Sequence, residues 1–288
     1  MPNNPAIASR EAVAKDAVTE GYDETPELSA FAEHLADLAR PLALAPFRTP
    51  IGVEWKADHS PVTAADRAVE RALREAIAGR FPTHGILGEE EEAVGIDRRV
   101  VWVIDPIDGT KSFVTGLPLF GTLIAAVVDG HPRVGVIEAP AMGERWVGVA
   151  GGGTRLNGAP CRTSHVEHLA DARLCATSPD MFSAAEADAF AALTRQVGLS
   201  RFGGDCYAYG LLASGHVDLV VEASLKPYDF MALVTVVEEA GGVISDWSGA
   251  PLSIGSGGQV LAAANGALHA CALAILRAAC PPHGTDQR

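Results

Sequence analysis

The chain has 288 residues, 48% of them hydrophobic and 20% charged, enough apolar material for one large domain or two closely packed halves, which excludes an intrinsically disordered protein. Asp and Glu outnumber Lys and Arg by 36 to 22, and the resulting formal charge of −14 repels polyanions and argues against nucleic acid as a partner. No stretch approaches the ~20 apolar residues that cross a bilayer, and residues 1–22 lack a basic region followed by an apolar run, so the expectation is a soluble, cytoplasmic protein with no membrane partner.

Residues 1–27 are polar and alanine-rich, with Pro2, Pro5 and Pro26, and read as an N-terminal extension; residues 281–288 read as a short tail. Between them, 28–280 reads as a single domain whose halves divide near residue 165. Leu28, Phe31, Leu35, Leu38 and Leu42 recur at the spacing of one helical face. A second helix runs over 64–81, with Val69, Leu73, Ala76 and Ile77 on its inner stripe and a Thr63-x-x-Asp66 capping signature at its start.

The apolar run 100–104 has the pattern of a strand buried on both faces and delivers Asp105 at its end. Strands at 119–129 and 133–138 follow, joined by an Asp-Gly-His-Pro turn, and the segment 145–150 with the Asn157-Gly158 turn continues an antiparallel-rich sheet. In the second half, strands near 173–177, 217–222, 243–246 and 259–263 alternate with helices at 184–197, 207–214, 229–240 and 268–279, which predicts layered packing.

The five cysteines, Cys161, Cys175, Cys206, Cys271 and Cys280, show no zinc-type spacing and read as reduced thiols. His165 and His168 have no further ligands around them and read as part of a solvated turn.

The stretch most suited to chemistry is Asp105-Pro-Ile-Asp108-Gly-Thr110-Lys-Ser-Phe113. Pro106 stiffens the strand exit, and Gly109 permits a sharp turn, so two carboxylates and the carbonyl of Ile107 can converge on one point. Such hard oxygen donors suit Mg²⁺ or Mn²⁺; solvated acids in ordinary Asp-Pro and Asp-Gly turns are the plainer alternative. Upstream, Gly88 is followed by four glutamates, of which Glu91 and Glu92 read as solvated while Glu89 can reach a metal. Downstream, Asp229 directly precedes an apolar helix, where it can serve as an N-cap or as a ligand.

The ordered set Gly88-Glu89-Glu90, then Trp102-Val-Ile-Asp105-Pro-Ile-Asp108-Gly-Thr110, then Asp229 before a helix ending Glu239-Ala-Gly-Gly242, resembles the signature of the inositol monophosphatase family over about residues 28–280. The resemblance implies a mixed α/β fold, a layered αβαβα sandwich of the type shared with fructose-1,6-bisphosphatase, and a homodimer. It further implies that Glu89, Asp105, the Ile107 carbonyl, Asp108 and Asp229 hold two or three Mg²⁺ ions, with Mn²⁺ able to substitute, and that the chain hydrolyses a small phosphate monoester. In that scheme Glu89 with Thr110 takes a proton from the attacking water, Asp66 orients the water-activating groups, and Gly109 and Thr110 open a short helix whose amides grip the phosphate. Lys56 falls where the family carries a loop beside the metal site.

The stretch from Gly203 to Asp229 resembles the histidinol-phosphate branch of the family, with Asp205 and Cys206 where inositol phosphatases carry threonine and alanine. Asp205 and Glu222 suit an ammonium-bearing leaving group such as histidinol, although a helix cap and a solvated strand end are their plain alternatives. Arg201 is a candidate for the phosphate or for the partner subunit. The substrate-contacting set is thus Ile107, Asp108, Gly109, Thr110, Arg201, Asp205, Glu222 and Asp229. Hydrolysis of inositol 1-phosphate or of several sugar and polyol phosphates is the nearest rival, and a catalytically dead dimeric scaffold is the rival of another class.

Overall fold

The computed structural model describes residues 23–56 and 61–280; the readings made for 1–22 and 281–288 fall outside the described residues. Helix α1 (Thr25–Leu44) starts at Thr25 and not at Leu28, because Pro26 occupies its first turn, where the missing N–H has no helical partner to lose. Two short strands that the sequence reading did not anticipate, β1 (Val53–Trp55) and β2 (Pro61–Thr63), pair as an antiparallel ribbon. All of β1 is exposed, so no alternation of apolar and polar residues marks it. Helix α2 (Ala64–Arg80) begins with the anticipated cap: the Thr63 hydroxyl accepts the Ala65 N–H at 3.1 Å, and Asp66 accepts the Thr63 N–H at 2.8 Å.

A seven-stranded sheet follows from β3 (Gly85–Leu87), β4 (Val100–Asp108), β5 (Gly121–Val128), β6 (His131–Ala139), β7 (Glu144–Val149), β8 (Gly153–Leu156) and β9 (Ala159–Pro160), in that spatial order. Only the β3–β4 pair is parallel. Short α3 (Thr110–Val114) interrupts the run between β4 and β5. Strand β4 is buried on both faces: Val100, Trp102 and Ile104 pack against α1 and α2, while Val101 and Val103 join the central core.

The second half supplies β10 (Arg173–Ala176), α4 (Ala184–Thr194), β11 (Leu199–Phe202), α5 (Asp205–Ala213), β12 (Leu219–Glu222), α6 (Pro227–Glu239), β13 (Val243–Ser245), β14 (Val260–Ala263) and α7 (Gly266–Ala279). Its five strands order as β11-β10-β12-β14-β13. Strand β11, a third unanticipated strand, is an exposed edge strand without an apolar face.

Helices α5 and α6 lie between the two sheets. Val220, Val260 and Ala262 face them, whereas Leu219, Val221, Leu261 and Ala263 face the outer pair α4 and α7. The layers therefore run helices, sheet, helices, sheet, helices, the αβαβα order expected from the resemblance. Phe230 and Met231, both fully buried, anchor the start of α6 in the central core, each contributing roughly 1.5–3 kcal/mol. That anchoring fixes the platform from which Asp229 projects.

Candidate active site

The site forms where the C-terminal end of β4 meets the N-terminal ends of α5 and α6. In a regular strand, residues three apart point to opposite faces. The pairing of β4 with β5 shifts register between Asp105 and Asp108, and this bulge turns both carboxylates to the same side. Gly109 then takes φ 80°, and α3 starts at Thr110.

Asp229, the third residue of α6, adds its carboxylate from the other side, while its Oδ2 accepts the Lys226 N–H at 2.6 Å. It is therefore not the N-cap, a position that Lys226 holds. Asp105, Asp108 and Asp229 each offer an oxygen within 4.8 Å of the others. Two unit charges at that separation repel by roughly 3–4 kcal/mol at an effective dielectric constant of about 20.

Burial, followed by the charges of Glu89, Asp108 and Asp229, pushes the Asp105 pKa well above the usual carboxylate range; burial and the charges of Asp205 and Asp229 do the same to Asp108. Asp229 rises to about 7, chiefly through burial. Such a trio is at ease only when protonated or when a cation stands among its members.

Glu89 and Glu90 follow the turn after β3 and share one ammonium group: Lys56 Nζ lies 2.7 Å from an oxygen of each. Burial works against the Lys56 charge, but these two carboxylates outweigh it and raise its pKa. Burial also raises Glu89, with Lys56 opposing. Glu91 and Glu92 are exposed, as the sequence reading holds.

Asp66 takes the capping role weighed for it and also reaches Thr110. Its Oδ2 caps α2, and its Oδ1 lies 3.4 Å from Thr110 Oγ1, which also lies 3.0 Å from the Ile107 carbonyl.

A cavity of about 240 Å³ opens over these groups, lined by Glu89, Asp108, Thr110, Asp205, Glu222 and Asp229 among others. Asp205 is not a helix cap. Gly204 is the N-cap of α5, and the Asp205 carboxylate accepts a hydrogen bond from Ser112 Oγ at 2.8 Å. The N–H of Cys206 is instead taken by Asp108 Oδ2 at 2.6 Å, which ties the start of α5 to the acidic trio.

Glu222 is no solvated strand end either. It is 2% exposed; its Oε1 accepts from the Thr177 N–H at 2.9 Å and from the Thr177 hydroxyl, and its Oε2 accepts from Tyr209 at 2.9 Å. Burial lifts its pKa to about 7 against those hydrogen bonds. Arg201 is exposed on edge strand β11 and does not line the cavity, so the structure does not bring it to the substrate site of its own chain.

Sequence reasoning missed Thr177, which lies far from the acidic motifs in the chain, and also Ser112 and Tyr209, which follow Asp108 and Asp205 by one helical turn and carry no charge to mark them. It also missed Glu70, a fully buried acid one turn after Asp66 on α2. The signal for Glu70 was present: an acid adjoining Val69 on the inner stripe of an amphipathic helix.

A model of the inositol monophosphatase family matches residues 24–280. Bifunctional phosphatase IMPL2, chloroplastic, of Arabidopsis thaliana is 46% identical over 232 residues, which cover 78% of this chain and 66% of that protein, just under two thirds of its length. The histidinol-phosphatase of Chlorobaculum parvum is 38% identical over 248 residues, 85% of this chain and 94% of that one. Among solved structures, an inositol monophosphatase from Zymomonas mobilis superposes with a TM-score of 0.81 at 43% identity, covering 89% of this chain and 100% of the other.

Proposed function

We propose, from the premise that the chain belongs to the inositol monophosphatase family and is a phosphatase, that it hydrolyses L-histidinol phosphate to L-histidinol and phosphate. The observation that carries this reading is the pair of carboxylates, Asp205 and Glu222, lining the same cavity as the acidic trio. A leaving group that bears an ammonium or imidazolium ion needs a carboxylate partner once removed from water. An inositol ring carries only hydroxyl groups and has no such need.

The donor set fits a hard divalent cation. Three carboxylates converge with oxygen atoms only, their pKa values are raised by burial and by the charges of nearby carboxylates, and the neighbouring glutamates already hold the ammonium of Lys56. Asp105, Asp108 and Asp229, with Glu89 and the Ile107 carbonyl beside them, would hold Mg²⁺ or Mn²⁺. A cation there supplies positive charge to the phosphate and the departing oxygen and makes a nearby water more acidic.

The remaining steps fall to the chain itself. Glu89 accepts the proton of the attacking water, and Thr110 Oγ1 orients that water while its own proton is shared between Asp66 and the Ile107 carbonyl. Gly109 and Thr110, at the opening of α3, offer backbone amides to phosphate oxygens. Homodimer formation belongs to the proposal as well, and exposed Arg201 on β11 is available to a partner subunit.

Phosphate release from a panel of histidinol phosphate, inositol 1-phosphate and fructose 1,6-bisphosphate in Mg²⁺ tests the reading. The expected result is the highest kcat/KM for histidinol phosphate. A preference for inositol 1-phosphate, or equal turnover of all three, would overturn the substrate while leaving the phosphatase in place.

A further inference from the structure

Glu70 does not line the cavity, yet it is fully buried, and its hydrogen bonds among the described residues lead to the loop that bears Glu89. Its Oε2 accepts the N–H of Glu89 at 3.1 Å and of Glu90 at 2.7 Å. Its Oε1 accepts the N–H of Glu91 at 3.0 Å together with Nε of Arg74 at 2.8 Å. Arg74 in turn donates to the Glu91 carbonyl at 2.8 Å, closing the ring.

Three successive N–H groups aimed at one point form a concave anion receptor. Here the anion is a side chain of the protein itself. The approach is close: a Cβ at position 88 would lie 2.3 Å from Glu70 Oε1 and would push that carboxylate away from the three N–H groups. The same helix, α2, presents Asp66 toward Thr110. One rigid element thus governs two groups assigned to the water.

We infer that Glu70 is a positioning residue, which clamps residues 88–91 in the conformation that turns the Glu89 carboxylate into the cavity and thereby sets the site's affinity for a divalent cation. This rests on reading Glu89 as part of a cation-binding site. A neutral amide cannot replace the clamp, because a glutamine has one acceptor oxygen for three N–H groups and turns its own NH₂ toward one of them.

The test uses the full chain as wild type, Glu70→Gln and Gly88→Ala. The second variant keeps every charge and opens the clamp by steric contact alone, so it decides the matter if Glu70→Gln does not fold. Hydrogen exchange of the metal-free protein should quicken at least ~10-fold at the amides of 89–91 while the buried amides of β4 stay protected. Mn²⁺ titration, followed by calorimetry, should show affinity reduced by ~10- to 100-fold, the usual effect of removing a group that holds a ligand in place. Turnover should recover at saturating Mn²⁺ in both variants, which a ligand substitution such as Glu89→Gln would not allow.

Unchanged exchange at 89–91 in a folded variant overturns the clamp. Accelerated exchange with unchanged Mn²⁺ affinity overturns its role in cation binding. Wild-type protein that takes up no Mn²⁺ overturns the cation-site reading instead, and the exchange result then still decides the clamp.

Discussion

Replacing Asp229 by asparagine should make the metal-free protein more stable and the enzyme almost inactive. Asp229 Oδ2 accepts the Lys226 N–H, and the asparagine carbonyl can keep that bond, so the substitution removes charge and little else. The Asp229 pKa is raised by burial from its ordinary 3.8 to about 7, which corresponds to a destabilisation of about 4 kcal/mol when the group is fully ionised. A buried amide still loses part of its hydration, so about half of this, roughly 2 kcal/mol, should be recovered.

The sign follows from proton uptake. With the folded pKa above the unfolded one, the folded state binds more protons between about pH 4 and 7, and the penalty is absent below that window and complete above it. The gain from Asp229→Asn should accordingly be small at pH 5 and full at pH 8, about 4–8 °C in melting temperature at the ~2–4 °C per kcal/mol typical of a chain of this size. Melts in a chelating agent at both pH values measure it, alongside phosphate release in Mg²⁺, where kcat should fall at least ~100-fold. A melting temperature at pH 8 equal to or below that of the wild type, or the same gain at both pH values, would refute the argument that burial makes the ionised Asp229 carboxylate costly until a cation arrives.

Activity should vanish on exhaustive chelation and return with Mg²⁺ or Mn²⁺, while Ca²⁺, with its looser coordination, should inhibit; turnover that survives chelation would rule out the cation. Glu89→Gln should abolish turnover yet still bind substrate in equilibrium measurements, and loss of binding as well would confine Glu89 to holding metal. Asp205 has φ 45°, where a β-branched replacement is strained, so Asp205→Asn is the informative change. It should lower kcat/KM for histidinol phosphate by ~10- to 100-fold and leave inositol 1-phosphate turnover nearly unchanged, whereas equal losses on both would assign Asp205 to the fold.

Much of the architecture is written in local pattern. The apolar run at 100–104 has the pattern of a strand covered on both sides, and the Thr63–Asp66 pair announced the start of α2, because such runs and caps depend on neighbours within a few residues. The chemical types around Asp105 and Asp108 were legible for the same reason: oxygen donors at close spacing beside a proline and a glycine. The strands β1 and β11 were not legible, since short exposed segments carry no apolar period and their pairing is set by whatever edge lies beside them.

Only the tertiary structure decided which groups meet. The bulge that turns Asp105 and Asp108 to one side arises from the pairing of β4 with β5, and Asp229 joins them because Phe230 and Met231 bury the start of α6 between the two sheets. Glu222, which alone would pass for a solvated end, becomes a buried carboxylate held by Thr177 and Tyr209. Arg201, plausible on paper, stands outside the cavity on an edge strand. Sequence spacing determines what a segment can offer, whereas the side chains that share one desolvated cavity come from distant segments, and their charges and protonation exist only once packing has excluded water from around them.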